Sequence, residues 1–590
     1  MPTSPHLTLT PRLKYLALLL YTLLTLASVA AVANFALHKA ALFPEFAQAG
    51  DSFGYLQGAQ DLRNGHAPHN LPPFTFNSPH SQFLLDFFRS HNIPLEKSAA
   101  LLAPNAYHYR AETNLIINQY PPGIPLFLSV FPQGHALHSV HALVAAALLL
   151  FCLTIFILAL RPTPSPNLAP KAALIGFTAL TVSISLLLFG ISVSYSIDFF
   201  ALPILLIFLA IHFALRTPPK IALPLTLLAG ALFGFAILSR LATLLFLPGF
   251  LLLLWQPPKE SPRFVISHLS FVIPALFAGG LFITGILPLA IHNNALTGSP
   301  FRSTYSSHDA APPSLSHIPS NLAYYTTGDG STFSLLTAIA LIAFTLLLLS
   351  RPRSAQIHPE SQLLSRYARA IALFILIPTA FFLTHPIATD YYQLPTLIVT
   401  LFAITFSLIG PALQHTAPPD DARCLGQRGA IDAPPATTSP QKTNITNTTD
   451  ITNTTKFSPT PTLAASLLLA ATLAWYASTL PAPPASIHAP TLNDPEILHD
   501  PNAWIFADRF TGTLWYYHAI PATELLFSDP DTRWQTLQFI ASRHTPPDPI
   551  YILIDNPAIQ PALQDLTKRG ATLTPAGTFA EQPIAQLHMP

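Results

Sequence analysis

The segment ALVAAALLLFCLTIFILAL, residues 142–160, has no charged side chain and only one hydroxyl group, that of Thr154. A helix rises about 1.5 Å per residue, so this run and the few residues before it cross a hydrocarbon core of roughly 30 Å. The whole chain is 51% hydrophobic and 9% charged, against roughly 25% charged residues in an average soluble domain. The sequence therefore predicts an integral membrane protein.

Further apolar runs predict an α-helical polytopic membrane protein with about eleven membrane-spanning helices. The predicted spans are residues 14–36, 136–160, 172–190, 196–215, 221–238, 241–255, 264–290, 332–350, 369–384, 391–411 and 461–480. Ala31-Val32-Ala33 resembles a signal-peptide cleavage site. However, the apolar run from Tyr15 to Val32 is longer than the usual core of a signal peptide, which favours a retained anchor.

Lysine and arginine residues in the short loops predict the orientation of the spans. With a cytoplasmic N-terminus, the short inner segments hold twelve such residues, whereas the short outer segments hold only Arg240 and Arg302. We therefore expect a multi-pass protein of the inner (cytoplasmic) membrane, with both long segments 37–135 and 481–590 outside the cytoplasm.

The predicted domains follow from this topology. Residues 1–411 form the transmembrane unit, which includes the large external loop 37–135. Residues 412–460 are rich in Pro, Thr, Asn and Ala, a composition that predicts a disordered cytoplasmic linker. A last span at 461–480 then leads to an external domain, residues 481–590.

The C-terminal segment has the pattern of a small α/β domain. Residues 504–507 and 549–554 read as strands, and the amphipathic segment 562–569 ends at Gly570 before another apolar run. The domain has neither a glycine-rich phosphate loop nor a paired-carboxylate pattern in its sequence. We therefore expect it to support the site and not to carry the chemistry.

Several kinds of site and partner are not indicated. A net charge of +1 without a basic stripe gives no reason to expect nucleic acid. Cys152 and Cys424 fall in different predicted environments, so no disulfide is expected. The histidines of the external loop lack the spacing of a helix-borne zinc pair. No cofactor is expected, although a divalent metal is left open.

Polar residues gather at the predicted outer ends of the spans, where ionisable groups are functional candidates. They are Asp198, Arg240, Asn293, Asn294, His385 and Asp390, together with Asp51 and Tyr120 in the external loop. A transporter would more typically have polar groups near the membrane midplane. The distribution favours chemistry at the outer surface.

Asp51 begins a helical pattern over residues 51–62, which we expect to form an interfacial helix with Tyr55 on the same face as Asp51. About seventy residues later, the YPPGIPL segment, residues 120–126, leads into the next apolar stretch. A carboxylate in a first helical turn can also serve only to stabilise the helix, by about 0.3–1 kcal/mol. The residue type alone leaves both roles open.

An acidic residue after the first span, followed by a YPPG-type turn, resembles the GT-C superfamily of polytopic membrane glycosyltransferases. These enzymes take sugar from a polyprenyl-phosphate carrier such as dolichyl or undecaprenyl phosphate. The overall pattern is most similar to protein mannosyltransferases, aminoarabinose transferases and bacterial lipopolysaccharide-core sugar transferases. The resemblance covers roughly residues 14–411 and the GTLWYY segment at 512–517, and the YPPGIPL segment is its most specific motif.

This resemblance implies roles for individual residues. It implies that Asp51 is the catalytic base and that Asp198 is the second acidic position, although Ser52 stands where the family usually has another acid. Donor phosphate would be bound by Arg240, Arg110 and Tyr392, although the Tyr391-Tyr392-Gln393-Leu394-Pro395 segment lacks an arginine that many members have. The residues that would shape the sugar and acceptor site are Tyr55, Tyr120, Asn293 and Tyr305.

The expected function is inverting transfer of a sugar from a polyprenyl phosphate to an envelope acceptor, which is a lipid, a glycan or a protein. A guanidinium such as that of Arg240 suits a phosphate because it offers planar, bidentate donors, but snorkelling to lipid headgroups would place it equally well. Membrane lipids are the remaining expected partners. Two rival functions are a transporter or flippase of lipid-linked sugars and a non-catalytic membrane scaffold.

Overall fold

A computed structural model describes residues 11–41, 47, 49–76, 78–161, 168–191, 195–255, 265–305, 312–328, 359–388, 390–413 and 495–590. Most of the described chain is helical. The helices of the N-terminal two thirds are α1 (Pro11–Ala41), α2 (Ala49–Arg63), α3 (Pro79–Ser90), α4 (Leu95–Ser98), α5 (Gly123–Leu128), α6 (Ala136–Leu160), α7 (Ala169–Ile191), α8 (Tyr195–Ala214), α9 (Pro219–Ser239), α10 (Leu247–Leu254), α11 (Val265–Leu281), α12 (Leu287–Thr297), α13 (Ile318–Thr327), α14 (Pro359–Thr384) and α15 (Leu394–Leu413).

Six of the described helices are long and apolar enough to cross a membrane, which makes a polytopic membrane protein plausible. They contain the segments Arg12–His38, Ala136–Leu160, Pro170–Leu188, Pro219–Ser239, Phe271–Thr297 and Leu363–Thr384. Shorter apolar helices cover three more predicted spans, at Phe199–Ala214, Leu241–Leu254 and Leu394–Gly410. The predicted spans 332–350 and 461–480 lie outside the described residues, so the predicted number of eleven spans is not confirmed.

The long apolar helices pack against one another in a bundle. Helix α9 lies between α8 and α11, α7 contacts α1 and α15, and α14 contacts α10 and α15. Aromatic side chains fill the centre, where the Phe208 ring lies 5.2 Å from Phe250 and 5.5 Å from Phe406 between ring centroids. A hydrogen bond of 3.1 Å between the hydroxyl groups of Thr181 and Thr405 joins α7 to α15.

The span predicted at 264–290 is longer in the structure. A π-helical segment, Phe282–Ile286, joins α11 to α12, and the helix ends only at Thr297, where Gly298 adopts a left-handed conformation with φ 73°. Asn293 therefore lies inside the last turns of a helix and not beyond its end. Gly298 begins the Gly298-Ser299-Pro300 segment, and glycine tolerates the positive φ at which helices commonly end.

The loop between α1 and α6 folds into a compact unit of α2–α5 and a hairpin of β1 (Tyr107–Arg110) and β2 (Leu115–Asn118). Helix α2 was expected to be interfacial, but protein encloses it: Phe53, Leu56 and Ala59 have no exposed surface and Tyr55 is 2% exposed. Few of its side chains are left to contact a membrane surface. The helix is buried because α5 contacts it from one side and the C-terminal domain from another.

The C-terminal residues form a five-stranded mixed sheet with three helices. The strands are β3 (Trp504–Ala507), β4 (Ala522–Glu524), β5 (Ile550–Leu553), β6 (Thr572–Phe579) and β7 (Gln582–His588), and the helices are α16 (Thr511–His518), α17 (Pro530–Ala541) and α18 (Gln560–Lys568). The strand order is β4-β3-β5-β7-β6, in which β4, β3 and β5 are parallel and β7 is antiparallel to β5 and β6. The strands predicted at 504–507 and 549–554 and the helix predicted at 562–569 correspond to β3, β5 and α18.

Candidate functional site

Asp51 and Tyr120 form the centre of the candidate site. Asp51 lies in the first turn of α2, and its Oδ1 atom accepts a hydrogen bond of 2.5 Å from the Tyr120 hydroxyl group. Gln119 Nε2 donates to the same tyrosine oxygen at 2.9 Å. The first residue of the YPPG turn is therefore joined directly to the carboxylate that lies almost seventy positions earlier.

The backbone around Tyr120 is fixed by a neighbouring asparagine. Asn118, the last residue of β2, donates from its side-chain amide to the Gly54 carbonyl at 2.7 Å, and its Oδ1 accepts from the Tyr120 backbone N–H at 3.1 Å. Asn118 is 4% exposed. These two bonds tie α2 to the strand that leads into the turn, so Asp51 and Tyr120 are held in register.

Two further tyrosines of the predicted site surround Tyr120. The Tyr55 ring lies 4.9 Å from the Tyr120 ring, and the Tyr305 ring lies 6.1 Å away in an edge-on arrangement. The segment that carries Tyr305 is joined to the turn by a hydrogen bond of 2.7 Å from Thr304 Oγ1 to the Gln119 carbonyl. The structure therefore brings Asp51, Tyr55, Tyr120 and Tyr305 together.

The YPPG turn also contacts the end of α9, where Arg240 lies. A Cβ atom at Gly123 would lie 2.5 Å from the backbone carbon of Leu238 and from the backbone nitrogen of Ser239. Only glycine permits this approach, and Arg240 follows Ser239 directly in an extended backbone conformation. The Arg240 guanidinium carbon then lies 5.7 Å from the centre of the Tyr392 ring. Arg240 and Tyr392 thus lie at the same end of the helical bundle as Asp51.

A cavity of about 180 Å³ lies between these segments. Its walls come from the YPPG turn, the residue after Arg240, helix α12 and the segment that follows it: Pro121, Leu241, Leu289, Asn293, Pro300, Phe301, Ser303, Thr304 and Tyr305. Asn293 is 7% exposed, and its buried Oδ1 atom has no hydrogen-bond donor in the described structure. The cavity is smaller than a drug-sized pocket of roughly 300–1,000 Å³.

Arg110 contacts this region from β1. Its Nη2 atom donates a hydrogen bond to the Tyr305 carbonyl, and burial lowers the pKa of its guanidinium. Glu112, which follows it in sequence, forms an ion pair with Arg302. Arg110 therefore holds the Tyr305 segment, and any contact with a ligand phosphate would come from the rest of its guanidinium group.

Two acidic candidates are placed only by their backbone. Asp198 lies in the first turn of α8, but its side chain is not described, nor is that of Asp390. The next residue after Asp198, Phe199, packs with its ring 4.1 Å from that of Phe127 in α5. Position 198 is therefore next to the helix that follows the YPPG turn.

His385, which was also predicted to lie at the outer end of a span, contacts Asn321 of α13. Its carbonyl accepts a hydrogen bond of 2.7 Å from the Asn321 amide, which also donates to the carbonyls of Phe382 and Leu383. Asn321 in α13 thereby satisfies the free carbonyl groups at the end of α14. The His385 ring lies 5.9 Å from Tyr392, so this helix end supports the ring on which Arg240 rests.

The C-terminal domain packs directly on the loop that carries Asp51. A Cβ atom at Gly512 would lie 2.4 Å from the Phe53 side chain of α2, so α16 approaches α2 as closely as glycine allows. The loop residue Asn105 donates from its backbone to Thr511 Oγ1 at 3.1 Å and from its side chain to Asp508 Oδ1 at 3.2 Å. The domain is thus joined to the candidate site by polar bonds and by close packing.

Farther from the candidate site, aromatic side chains also join the C-terminal domain to the external loop. Phe539 of α17 stacks on two rings of α3, those of Phe83 at 4.9 Å and Phe87 at 4.0 Å between centroids. The His80 ring lies 4.3 Å from Trp504 in β3. Helix α3, which is amphipathic, therefore buries its apolar face against the C-terminal domain.

Three carboxyl groups meet where β4, β3 and β5 end, although no paired-carboxylate pattern was found in the sequence of this domain. Glu524 ends β4, while Asp508 and Asp555 follow β3 and β5, and all three are at most 6% exposed. The Asp508 and Phe510 backbone N–H groups donate to Asp555. Neighbouring parallel strands bring together the residues at their carboxyl ends. These residues are far apart in sequence, so a search for adjacent carboxylates does not find them.

The carboxyl cluster comprises Asp508, Glu524 and Asp555, and burial disfavours the charged forms of Glu524 and Asp555. Burial raises the pKa of Asp555 to about 6, although two backbone N–H groups donate to it. Burial and the neighbouring Asp508 raise the pKa of Glu524 well above its ordinary value. Asp508 accepts hydrogen bonds from the amides of both Asn105 and Asn556, so it is the member of the cluster that faces the loop.

The carboxyl cluster predicts how the stability of the domain depends on pH. An acid whose pKa is higher in the folded state binds more protons when folded, so its contribution to stability falls as the pH rises. For Asp555 this fall occurs between pH 3.8 and about 6 and amounts to on the order of 3 kcal/mol.

Hydrogen exchange of β3, β4 and β5 in the full-length protein measures this effect, and exchange should be slower at pH 5 than at pH 7 after correction for intrinsic rates. A Glu524→Gln variant keeps the neutral shape and should show a smaller difference. Stability that increases with pH between pH 5 and pH 7 would contradict the raised pKa values of Glu524 and Asp555.

No group of three or more His, Cys, Asp or Glu side chains that could hold a metal ion is found in the described part of the chain. Comparisons of the chain with protein-family models, curated proteins and solved structures give no match.

Proposed function

We propose that this protein is a membrane glycosyltransferase that moves a sugar from a polyprenyl-phosphate carrier to an envelope acceptor at the outer face of the cytoplasmic membrane. The observation that carries the proposal is the hydrogen bond between Asp51 and Tyr120. Tyr120 directly precedes Pro121 on the wall of the cavity, and Arg240 directly precedes Leu241 on the same wall. This arrangement combines a carboxylate, a permanently charged guanidinium and a small, partly polar cavity at one end of an apolar helical bundle.

Asn293 on the cavity wall, together with Asp51 and Arg240 near it, suits the steps of an inverting transfer. The acceptor hydroxyl oxygen attacks the anomeric carbon of the sugar while its proton passes to the Asp51 carboxylate. The bond between that carbon and the phosphate oxygen breaks on the opposite face, and the polyprenyl phosphate leaves with the electron pair. Arg240 stabilises the charge that develops on the leaving phosphate, and Asn293 Oδ1 is placed to accept a hydrogen bond from a sugar hydroxyl.

The surroundings of the cavity support a lipid-borne donor. Phe301, on the cavity wall, is 96% exposed, and Leu289 of α12 also lines the cavity. An exposed phenylalanine beside a bundle of apolar helices is suited to contact a prenyl chain that lies in the bilayer. Nucleotide sugars are not expected outside the cytoplasm, which is the second reason to propose a lipid carrier.

A transporter or flippase of lipid-linked sugars is the second candidate, and one observation favours it. The π-helical segment Phe282–Ile286 interrupts the long helix from Val265 to Thr297 well before its end at the cavity. Such segments are frequent at functional sites, and interrupted helices near the midplane are typical of transporters. A non-catalytic scaffold is the third candidate, without a specific observation in its favour.

One assay separates the three functions. Sealed inverted and right-side-out membrane vesicles that contain the protein are incubated with a radiolabelled polyprenyl-phosphate sugar. A transferase moves the label into an acceptor, a flippase moves the labelled lipid across the bilayer without a change in its structure, and a scaffold does neither. Appearance of label in a new product at the outer face supports the proposal, and its absence with every acceptor fraction of the envelope contradicts it.

Tyr120→Phe should reduce transfer by about 10- to 100-fold, because a hydrogen bond to a charged group is worth about 1.5–3 kcal/mol. The phenyl ring keeps its contacts with Tyr55 and Tyr305, so the protein should still insert and fold. Tyr109→Phe is the matched control, since the Tyr109 hydroxyl donates to Asn114 at 3.1 Å in the exposed part of the same loop. Equal activity of both variants would remove the Asp51–Tyr120 bond from the mechanism.

A further inference from the structure

Asn105 lies where the external loop meets the C-terminal domain, close to the candidate site. Its backbone N–H donates to Thr511 Oγ1 at 3.1 Å, and its side-chain Nδ2 donates to Asp508 Oδ1 at 3.2 Å. Thr511 Oγ1 in turn donates to the Asp508 carbonyl at 3.0 Å. Both Asp508 and Thr511 are buried. Asn105 is therefore fixed to one turn of the C-terminal domain through both its backbone and its side chain.

These bonds determine which way the Asn105 amide faces. Both carboxyl oxygens of Asp508 accept hydrogen bonds from amides, Oδ1 from Asn105 and Oδ2 from Asn556. The NH₂ group is the only donor of an asparagine side chain, so Nδ2 faces Asp508 and Oδ1 points elsewhere. A Cβ atom at Gly50 would lie 2.9 Å from Asn105 Oδ1 and 3.0 Å from the Tyr120 hydroxyl oxygen. The two oxygens are therefore no more than about 6 Å apart, on either side of Gly50.

The C-terminal domain also contacts the chain on both sides of Asp51. Gly50, beside the asparagine oxygen, directly precedes Asp51 in the first turn of α2. Two residues after Asp51, the Phe53 side chain lies against α16: a Cβ atom at Gly512 would lie 2.4 Å from Phe53 Cβ and 2.7 Å from the Ala47 carbonyl oxygen. The position of the first turn of α2 therefore depends on the C-terminal domain.

The backbone directly after Asn105 is strained. Ala106 has φ 130°, outside the regions that residues with a side chain normally occupy, and it has no exposed surface. Its carbonyl accepts a hydrogen bond of 3.0 Å from the backbone N–H of Gln119, the residue before Tyr120. Such strain persists only where the surrounding structure over-determines it, and it clusters at functional sites. The loop at Asn105 is thus held between the C-terminal domain and the segment that carries Tyr120.

We propose that Asn105 and Asp508 are positioning residues that hold the Asp51 carboxylate in place for proton transfer. Asp508 orients the Asn105 amide, and Asn105 fixes the first turn of α2, where Asp51 accepts the hydrogen bond of Tyr120. The C-terminal domain is then a part of the transfer site, although neither positioning residue touches a substrate. This proposal rests on the proposed function, because it assigns Asp51 the role of the base.

Transfer by variants of the full-length protein in membranes tests the pair. Asn105→Ala, Asn105→Asp and Asp508→Asn should each lower kcat about 10- to 100-fold, because a small misplacement of a catalytic group has effects of that size. The KM for the polyprenyl-phosphate sugar should stay unchanged, since the donor phosphate is proposed to bind at Arg240. The double variant Asn105→Asp with Asp508→Asn exchanges the donor and the acceptor of the bond and keeps an oxygen beside Gly50. It should recover most of the lost kcat.

Asn64→Ala and Asp531→Asn are the matched controls. Asn64 is an exposed asparagine of the same loop, directly after α2. Asp531 is an exposed residue of α17 that pairs with Arg569 at 2.9 Å. Both controls should transfer at the wild-type rate.

A second measurement requires no reaction. The ¹⁹F resonance of 3-fluorotyrosine incorporated at position 120 reports the surroundings of its hydroxyl group. This resonance should move in Asn105→Ala and in Asp508→Asn, return toward its wild-type position in the double variant, and stay in place in the two controls.

The proposal is overturned by a wild-type kcat in Asn105→Ala, or by a double variant that is no faster than Asn105→Asp and Asp508→Asn. If Asn105→Ala does not insert, Asn105→Asp and the double variant decide the same question. If the wild-type protein itself transfers no sugar, the proposed function fails, and the ¹⁹F resonance alone decides. A resonance that moves and is restored then supports the positioning of the Asp51–Tyr120 pair by the C-terminal domain, and an unmoved resonance contradicts it.

Discussion

Membranes that contain Asp51→Asn should transfer about 10²- to 10⁴-fold less sugar than the wild type, because general-base catalysis typically contributes that factor. Asparagine has nearly the same shape and can still accept the hydrogen bond from Tyr120 through its amide oxygen. It cannot take a proton from an acceptor hydroxyl. The fall should therefore be in the rate of transfer and not in the amount of inserted protein, and initial rates at saturating donor measure it.

Asp86→Asn is the control for this variant. Asp86 is an exposed residue of α3 in the same loop, where it pairs with Arg89 at 3.7 Å, with both side chains more than 70% exposed. Its replacement removes the same charge from the same side of the bundle and should leave transfer unchanged. An Asp51→Asn protein with wild-type activity would mean that Asp51 only stabilises the first turn of α2, the alternative left open by its residue type.

Arg240→Gln should reduce transfer by about 10²- to 10³-fold, the usual cost of removing one group that stabilises charge in the transition state. Glutamine keeps a polar side chain of similar length but has no charge for the leaving phosphate. The transfer rate of Arg240→Lys should lie between those of the wild type and Arg240→Gln. An ammonium group keeps the charge but loses the planar, bidentate donors and the stacking on Tyr392.

The rate with a donor that has a better leaving group distinguishes this role from a structural one. A donor that leaves more easily should recover activity in Arg240→Gln, since less charge stabilisation is then required, but it should not recover activity in Asp51→Asn. Arg89→Gln, an exposed change on α3, is the control. If Arg240→Gln transfers at the wild-type rate with the natural donor, the guanidinium only anchors the helix end in the lipid headgroups.

Most of the helical architecture could be predicted because the spans depend on local composition. A run such as residues 142–160 has one stable solution in a bilayer, so α6 has the predicted limits. The predictions were inaccurate where packing between distant segments determines how far a helix extends and what covers it. The helix through Asn293 extends to Thr297, and protein encloses α2, because α5 and the C-terminal domain pack on it. The contact between α2 and the C-terminal domain joins segments more than 400 residues apart, and local periodicity does not contain it.

The candidate site, too, was predicted only in part. Asp51, Tyr120 and Arg240 could be selected from residue type and position together with the family resemblance, and Tyr392 from that resemblance alone. The packing of the YPPG turn on the end of α9 and of α16 on α2 depends on Gly123 and Gly512, which allow unusually close approach. The residues missed include Asn105, Asn118, Gln119 and the carboxyl cluster. For Asp508 and Asp555 a signal existed, since each follows a predicted strand and neighbouring parallel strands would bring them together. For Asn105 no sequence signal existed.

The central hypothesis is that the cavity between the YPPG turn, the Arg240 turn and α12 holds a polyprenyl-phosphate sugar. A polyprenyl phosphate that carries a photoreactive group beside its phosphate tests it in membranes, with mass spectrometry of the cross-linked peptides. We expect cross-links to residues 120–126 and 287–305, and an excess of unlabelled polyprenyl-phosphate sugar should suppress them. Cross-links found only around residues 363–370, at the other end of the bundle, or equally with and without competitor, would contradict it.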